Sequence, residues 1–412
     1  MELFATIPFS QGHVIREGSY RLLLAAAFSM AFSIALGQVC LFLAILLFGA
    51  SMIMVRGRFH LTPLAWGALA FLAVVVLSLA IQGDLPRGWR RISRPLWFLI
   101  IPMVAALVRT GESRVAIFKA MALGSGVMAA YILAWNPIAA WRGVRAGEIW
   151  APDFKNALIH LGSMTVGQLL MLGLMASIGV IWTNKGHWRL FWWSLLAVQV
   201  AGFILNYKRG SWICGCMAVG SLLLIQRAWR SLVVLLLIIV SVLAVPSVRF
   251  RLSQMRNEFD FNSVGRMTMW TKVAPGLIRD HPWGSGYGQL KNETMRLYAP
   301  EVEADRSHLH SNFPQVLVET GWLGLGVYFA WMALAVGIAT RRVRESWNSG
   351  PGGRIPALVL LLMLCSLLLH GVVEYNFGDT ELQILLAMIL GILSVPAGIR
   401  EADEPATAGS RS

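Results

Sequence analysis

Charged residues are scarce in this chain, and their scarcity excludes an ordinary soluble domain. Only 14% of the 412 residues are Asp, Glu, Lys or Arg, whereas a soluble domain averages roughly a quarter. Hydrophobic residues make up 57% of the chain, and its mean hydropathy is +0.63. Acidic residues are rarer than basic ones, 21 against 35, which gives a formal net charge of +14. This balance indicates a membrane protein, whose basic loops also carry information about topology.

The sequence also lacks the features of a disulfide framework and of a cleavable signal peptide. The four cysteines all lie inside apolar runs, at Cys40, Cys214, Cys216 and Cys365. One residue separates Cys214 from Cys216, and inside an apolar run this spacing favours packing over metal binding. The first twenty residues contain several charges and no apolar core, so we expect no cleavable signal peptide. The first membrane span is then expected to act as the insertion signal.

Apolar runs of membrane-spanning length are abundant, and a helical span needs about 20 apolar residues. We predict an all-α integral membrane protein with about twelve transmembrane helices and one large, partly helical loop. A tight turn at Gly37 is expected between the first two spans. The predicted spans are 20–36, 38–55, 63–82, 95–108, 115–135, 164–183, 188–205, 210–226, 231–247, 313–340, 356–373 and 381–397.

Short basic loops predict the orientation, because cytoplasmic loops carry an excess of Lys and Arg. One alternate set of loops is small and basic, with Arg56 and Arg58 in one loop and Arg341 and Arg342 in another. We therefore expect this set of loops and both termini to lie in the cytoplasm. The segments on the other side are then 83–94, 136–163, 206–209, the large loop and 374–380.

These outer segments are basic as well, which the positive-inside tendency should disfavour. Either one span is misplaced, or the cations are kept because they bind an anionic group on that face. The cations concerned are Arg87, Arg90, Arg91, Arg94, Arg142, Arg145, Lys155, Lys208 and Arg209.

The chain is expected to divide into four parts. Residues 1–247 hold the first nine spans, 248–312 form the large loop, and 313–400 hold the last three spans. Residues 401–412 are polar and are expected to form a disordered cytoplasmic tail. The large loop lies in a polar stretch that runs from Pro246 to Asn312, and this stretch is the main candidate for the catalytic region.

A histidine at the end of this loop is the strongest candidate for chemistry. Ser311 and Asn312 are residue types that favour a helix N-cap, so His310 would lie just outside the N-terminus of the tenth span. The positive end of the helix dipole disfavours imidazolium there, and a neutral imidazole is a competent general base. The alternative is a capped helix with a solvated histidine.

Three polar or aromatic residues follow His310 at the spacing of one helix face. Gln315, Glu319 and Trp322 occupy positions i, i+4 and i+7, and Glu319 would lie about two turns into the membrane. An ionisable residue at that depth is a functional candidate. His308 would point the same way as His310 in an extended segment, but the loop lacks further ligands at metal-binding spacing, so we expect no metal.

Two arginines beside glycines are candidates for binding phosphate oxygens. Arg209 lies at the outer end of the eighth span and Arg266 at an apparent helix start, although each could simply be a cation at the membrane interface. The glycine-rich turn 280–288 lacks the Lys-Ser/Thr ending of a nucleotide P-loop, so we interpret it as a shaping loop. Segment 374–379, which begins with Glu374, could add an acid to the same cavity.

Together these motifs resemble the O-antigen ligase family, the WaaL-like members of a wider O-antigen ligase and polymerase superfamily. That family has about a dozen spans and a large periplasmic loop late in the chain. Ser311 and Pro314 depart from its usual Asn and Leu at those positions. The matching motif residues are Arg209-Gly210, Gly265-Arg266, Trp270, His281-Pro282, Gly284, Gly286, His310, Gln315, Glu319, Gly321 and Leu323-Gly324.

The resemblance implies a glycosyltransferase C-like fold that transfers a glycan from undecaprenyl pyrophosphate to a hydroxyl of the lipid A-core oligosaccharide. The active site would face the periplasm from the inner membrane. His310 would be the general base, with Arg209 and Arg266 on the pyrophosphate. No nucleotide, metal or other cofactor is expected, because the donor arrives activated. The further substrate-binding candidates are Arg142, Arg145, His281, His308, Gln315 and Glu319.

Other activities share the same sequence features. A polymerase or a protein O-glycosyltransferase would use the same donor, and the motifs do not separate these enzymes from a ligase. A transporter of an anionic lipid would also need arginines inside a helical bundle. Transporters, however, often show inverted repeats and bind near the bilayer midplane, whereas this chain has no evident repeat and its cations lie at the outer rim. The sequence leaves the sugar, the acceptor hydroxyl and the oligomeric state open.

Overall fold

The computed structural model describes residues 9–55, 60–83, 85–146, 163–184, 186–253, 265–302 and 307–395. Over these residues the regular structure is helical and contains no strand, which confirms the all-α fold class. In chain order the helices are α1 (Phe9–Ser29), α2 (Ile34–Met54), α3 (Pro63–Ile81), α4 (Leu85–Ile92), α5 (Pro95–Leu107), α6 (Gly111–Ala146), α7 (Ser163–Thr183), α8 (Arg189–Leu205), α9 (Arg209–Ile225), α10 (Trp229–Ala244), α11 (Pro246–Ser253), α12 (Ala274–Asp280), α13 (Asn292–Tyr298), α14 (Asn312–Glu345), α15 (Gly350–Val373) and α16 (Thr380–Leu393).

Several of these helices have the length and composition of membrane spans, so the chain is a multi-pass membrane protein. Within the described ranges, six helices are long and apolar enough to cross a membrane: Ile34–Met54, Pro63–Ile81, Gly111–Trp135, Met164–Thr183, Asn312–Glu345 and Gly352–Val373. Shorter apolar helices cover 95–107, 189–205, 209–225, 229–244 and 380–393. Each span predicted from the sequence overlaps a helix, while the total of twelve crossings stays a prediction.

The connection between the first two helices differs from the predicted one. The turn lies at 30–33, and Gly37 lies within α2. The Ser33 hydroxyl accepts a hydrogen bond from the Leu36 N–H at 3.3 Å, so Ser33 caps the helix and sets where it begins. A Cβ atom at Gly37 would collide with the end of the Met30 side chain, which belongs to the turn. Gly37 therefore packs against the turn rather than forming it.

Packing brings three helix ends together. α14 lies along α3 and α15, and α15 packs in turn against α7 and α9. The N-terminus of α14 contacts the C-terminal turn of α15 through the Ser311 hydroxyl and the Gly371 carbonyl, 3.4 Å apart. The N-terminus of α9 reaches the same turn at Gly210. One end of the bundle therefore collects residues that are far apart in the sequence.

An aromatic cluster fixes this arrangement. It joins α3, α5 and α14 to the segment between α15 and α16, with ring centroids 4.9–6.4 Å apart. The Trp331 ring nitrogen also donates to the Leu64 carbonyl at 3.0 Å. The rings, all buried, belong to Phe71, Phe98, Tyr328, Trp331 and Phe377.

The described part of the large loop folds onto the start of α14. A helical turn at Arg266–Thr268 and a π-helical turn at Met269–Val273 lead into α12. The Trp270 ring nitrogen donates to the Leu309 carbonyl at 2.7 Å. A second, small apolar core joins the loop to α14 and is formed by Met269, Val273, Ala274, Leu277, Leu290, Met295, Ala299, Val302, Leu309 and, from α14, Val318.

Candidate active site

α14 is broken inside its membrane-spanning part. Gly321 has φ 71° and ψ −173°, so the helix is interrupted nine residues after it begins at Asn312. The break leaves backbone carbonyls without helical partners, and a membrane offers them no water. The glycine-rich turn supplies partners instead: the N–H groups of Ser285 and Gly286 donate to the carbonyls of Val318 and Glu319 at 2.8 and 3.1 Å. The shaping role predicted for this turn is therefore visible as a contact with α14.

This break corrects one prediction about the helix face. Trp322 was expected to share a face with Gln315 and Glu319, but its side chain is 62% exposed, whereas those two residues are buried. The expected spacing holds only in an unbroken helix. Because Gly321 leaves the helical conformation, the residues after it are rotated away from the residues before it.

His310 is held just before this short helical segment in a left-handed backbone conformation. Its φ is 50°, which is uncommon for a residue other than glycine. The Gln315 side-chain oxygen accepts from the Leu309 N–H at 2.8 Å, and the His308 ring Nδ1 accepts from the His310 N–H at 3.3 Å. These contacts fix the direction in which the His310 ring leaves the backbone.

A carboxylate holds the His310 ring. The Nδ1 atom of His310 lies 3.0 Å from Oε1 of Glu374, and both side chains are buried. The other carboxylate oxygen, Oε2, pairs with Nη2 of Arg266 at 3.1 Å, and Nη1 of Arg266 donates to the Val373 carbonyl. The acid that segment 374–379 was expected to contribute is thus in direct contact with His310. A carboxylate on Nδ1 favours the tautomer with Nε2 as the basic atom.

The charges around Glu374 keep it ionised. Burial alone would raise the pKa of Glu374, but the hydrogen bond from His310 and the charges of His310, Arg266 and His308 lower it to about 2. A carboxylate that stays charged at neutral pH can orient the imidazole and stabilise the imidazolium that forms when His310 takes up a proton.

We expect the contribution of Glu374 to stability to depend on pH. Its folded pKa is lowered from the model-compound value of 4.5, so this contribution is present above pH 4.5 and is lost as the pH falls toward 2. The difference in thermal stability between the wild type and Glu374→Gln, measured in detergent, should shrink over that interval. Burial raises the pKa of Asp379 to about 7, with a smaller contribution from the charge of Glu374, so most of that slope is common to both proteins. A difference that stays constant with pH would contradict the ion pair.

Arg209 begins α9 beside the same helix end. The next residue, Gly210, lies so near α15 that a Cβ atom there would be 3.0 Å from Nε2 of His370. The Ser211 hydroxyl is 3.3 Å from the same ring nitrogen. Arg266 contacts α15 one turn further on, at Val373. The segments that carry the two predicted phosphate-binding arginines therefore meet at the C-terminal end of one helix.

Gln315 and Glu319 form a buried polar chain behind His310. The Gln315 amide donates to Oε1 of Glu319 at 2.8 Å, and the Tyr375 hydroxyl donates to Oε2 at 3.5 Å. Because the Gln315 oxygen also accepts from Leu309, this chain holds the backbone next to His310. Direct contact of these two residues with substrate stays a prediction.

Asn312 was expected only to cap α14, and the structure gives it a larger role. Its amide nitrogen donates to Oδ1 of Asn376 at 2.6 Å, and its oxygen accepts from the Phe377 N–H at 3.0 Å. Gly371 leaves room for the Asn312 side chain. These bonds attach the start of α14 to the segment that carries Glu374. Apart from the polar character of 374–379, no sequence pattern indicates this pairing.

His308 completes the immediate surroundings of His310. The two rings are 4.2 Å apart between centroids, and the His308 ring is 5.8 Å from that of Tyr375. Donor atoms of His308, His310 and Glu374 all lie within 4.8 Å of one another, so these are the residues that could hold a cation. Arg266 already pairs with Glu374, and a guanidinium beside the site disfavours a metal ion. The expectation of no metal stays a prediction.

Three further residues were predicted to bind substrate, and the structure shows less about them. His281 follows α12 in the glycine-rich turn, where its carbonyl accepts a hydrogen bond from the Gly284 N–H at 2.9 Å. Arg142 and Arg145 fall in the helical backbone of α6, beyond the predicted end of that span, but their side chains lie outside the described part of the structure. Their expected contacts with the pyrophosphate stay predictions.

The fold and the site together define a helical, multi-pass membrane protein with a His–Glu–Arg cluster where helix ends meet. Residues 194–329 match the family model described as O-Antigen ligase. The match confirms the family resemblance over this segment, which contains Arg209, Arg266, His281, His310 and Gly321. It supports a glycosyltransferase-like enzyme that acts on lipid-linked glycans, and it does not separate the WaaL-like members from others. No curated protein matches the chain.

Proposed function

We propose that this protein is an O-antigen ligase, which transfers a glycan from undecaprenyl pyrophosphate to a hydroxyl of the lipid A-core oligosaccharide. The observation that carries the proposal is the 3.0 Å contact between Nδ1 of His310 and Glu374, with Arg266 on the second carboxylate oxygen. His310 and Arg266 lie inside segment 194–329, which matches the O-antigen ligase family, and Glu374 lies beyond it. The reaction needs a base for the acceptor and cations for the leaving group, and this cluster offers both.

His310 serves as the general base. With Nδ1–H donating to Glu374, Nε2 accepts the proton of the acceptor hydroxyl while the oxygen attacks the anomeric carbon. The bond between that carbon and the pyrophosphate oxygen breaks in the same step, so the configuration at the anomeric carbon inverts. The ionised Glu374 stabilises the imidazolium until the proton is released.

Arg266 and Arg209 bind the departing pyrophosphate. Negative charge builds up on that group as the glycosidic bond breaks, and fixed cations placed beforehand stabilise it. A guanidinium has five N–H donors in a planar fork, so Arg266 can hold Glu374 and still present donors toward a phosphate. The N-terminus of α9, which begins at Arg209, adds the positive end of a helix dipole.

The proposed setting is the bacterial inner membrane with the cluster facing the periplasm. The polyprenyl chain of the donor and the acyl chains of the acceptor would lie against the apolar helices, while the reacting groups meet at the helix ends. Histidine and arginine side chains at the rim of the bundle suit an active site that receives both lipid substrates laterally from the membrane.

Product analysis tests the proposal. Purified protein is incubated with lipid-linked donor, with and without lipid A-core, and the products are resolved by mass and by anomeric configuration. We expect the glycan to appear on the core with an inverted linkage, and no product without the acceptor. Growth of the lipid-linked glycan in the absence of core would identify a polymerase instead. A retained linkage would exclude the one-step displacement.

A further inference from the structure

Arginines meet in a cavity at the end of the bundle opposite His310. α14 is 34 residues long and begins beside His310, so its far end lies roughly 40–50 Å away. α15 returns from that far end to the active site. The cavity has a volume of about 90 Å³ and is lined by Arg109 and Arg114, which flank the start of α6, and by Arg342 of α14. This basic cavity takes no part in the proposed reaction.

Positive charge is concentrated in the basic cavity. Arg114 and Arg342 lie near enough to repel each other. Glu345 pairs with Arg342 at 2.9 Å, but it is shared with Arg341 at 2.7 Å and does not line the cavity. Grouping guanidinium ions costs free energy unless an anion lies among them. The arrangement therefore favours a bound anion.

The walls of the basic cavity combine polar and apolar surfaces. Ser346, Ser349 and the glycines at the start of α15 line the cavity, and a helix N-terminus there presents N–H groups. Leu360 and Leu393 also line it, and both are buried among the helices. A cavity of this volume has room for several water molecules and therefore for a phosphate group.

We propose that the basic cavity binds the phosphate group of an anionic membrane lipid. Basic pockets between transmembrane helices are typical sites for such head groups. Free phosphate would satisfy the same arginines, so the test includes it as a competing ligand. The lipid would join the ends of α6, α14 and α15 at the face opposite the active site.

Lipid retention tests this proposal. The full chain is reconstituted in phosphatidylcholine nanodiscs that contain a minor fraction of phosphatidylglycerol or cardiolipin, and native mass spectrometry counts the retained lipids. The combined variant Arg109→Gln, Arg114→Gln, Arg342→Gln should bind the anionic lipid about 100-fold more weakly, because each arginine contributes about fivefold. The single variant Arg109→Gln should lose about fivefold, and it provides the measurement if the combined variant does not fold.

Arg341→Gln is the matched control. Arg341 is adjacent to Arg342 on the same helix and also pairs with Glu345, but its side chain is 77% exposed and does not line the basic cavity. This variant should retain anionic lipid as the wild type does. Equal losses from Arg341→Gln and Arg342→Gln would overturn the proposal, since they would reflect only general surface charge. A titration in detergent in which inorganic phosphate bound as tightly as lipid would overturn the choice of a lipid.

Discussion

Replacing His310 by alanine should lower the rate of glycan transfer by about 10²–10⁴-fold, which is the range for loss of a general base. Donor binding should be nearly unchanged, because the proposed contacts to the pyrophosphate come from Arg209 and Arg266. The measurement is turnover with saturating lipid-linked donor and lipid A-core, together with the donor dissociation constant. A loss of turnover with an unchanged donor dissociation constant is the result expected for a general base and not for a residue that binds the donor.

The control for this experiment is His187→Ala. His187 is exposed in the short connection between α7 and α8, away from the cluster, so its removal should leave the rate unchanged. Transfer by His310→Ala within about threefold of the wild type would remove the proposed base. Such tolerance would instead favour a transporter, in which no proton has to leave an acceptor hydroxyl.

Gly321→Ala should produce the largest loss of stability, about 3 kcal/mol or more. The backbone at Gly321, with φ 71° and ψ −173°, is essentially accessible to glycine alone. An added Cβ atom would also lie 2.6 Å from the Pro282 carbonyl, and that backbone belongs to the turn that satisfies the broken helix. The variant must either close the break or push the turn away. We expect a lowered melting temperature in detergent and a loss of transfer, because the helical segment that follows His310 ends at this break.

Gly326→Ala is the matched control within α14. A Cβ atom at Gly326 would meet no heavy atom within 4 Å, and alanine is favoured over glycine inside a helix by roughly 0.5–1 kcal/mol. This variant should therefore be as stable as the wild type or slightly more stable. Opposite signs for the two substitutions would show that the conformation of Gly321 and its close contact with the turn require glycine at this position, while another glycine of α14 can be replaced. Equal melting temperatures for Gly321→Ala and Gly326→Ala would show that the break at Gly321 is not needed for stability.

Much of the helical framework follows from composition and periodicity. Each predicted span overlaps a helix, since burial of a long apolar run in lipid leaves the backbone little choice. Predictions from the local sequence were wrong where a contact with another residue sets the backbone conformation. The turn between the first two helices lies at 30–33 because Ser33 caps α2, and Gly37 is used for packing.

In the candidate site, too, the local sequence predicted some features and tertiary contacts decided others. Local sequence patterns placed His310 at a helix start, made Arg266 a candidate for binding phosphate, and indicated an acid from segment 374–379. They could not show that Glu374 takes Nδ1 of His310 on one oxygen and Arg266 on the other, because 64 residues separate the histidine from the glutamate.

The sequence by itself determined that the protein is a helical membrane protein with one histidine-bearing polar loop, because hydropathy and motif spacing are local properties of the chain. Tertiary structure alone decided the break at Gly321, the left-handed backbone of His310 and the collection of arginines at the far end of α14. Each of these depends on which segment supplies a hydrogen-bond partner or a neighbouring charge, and that is settled only when distant helices pack.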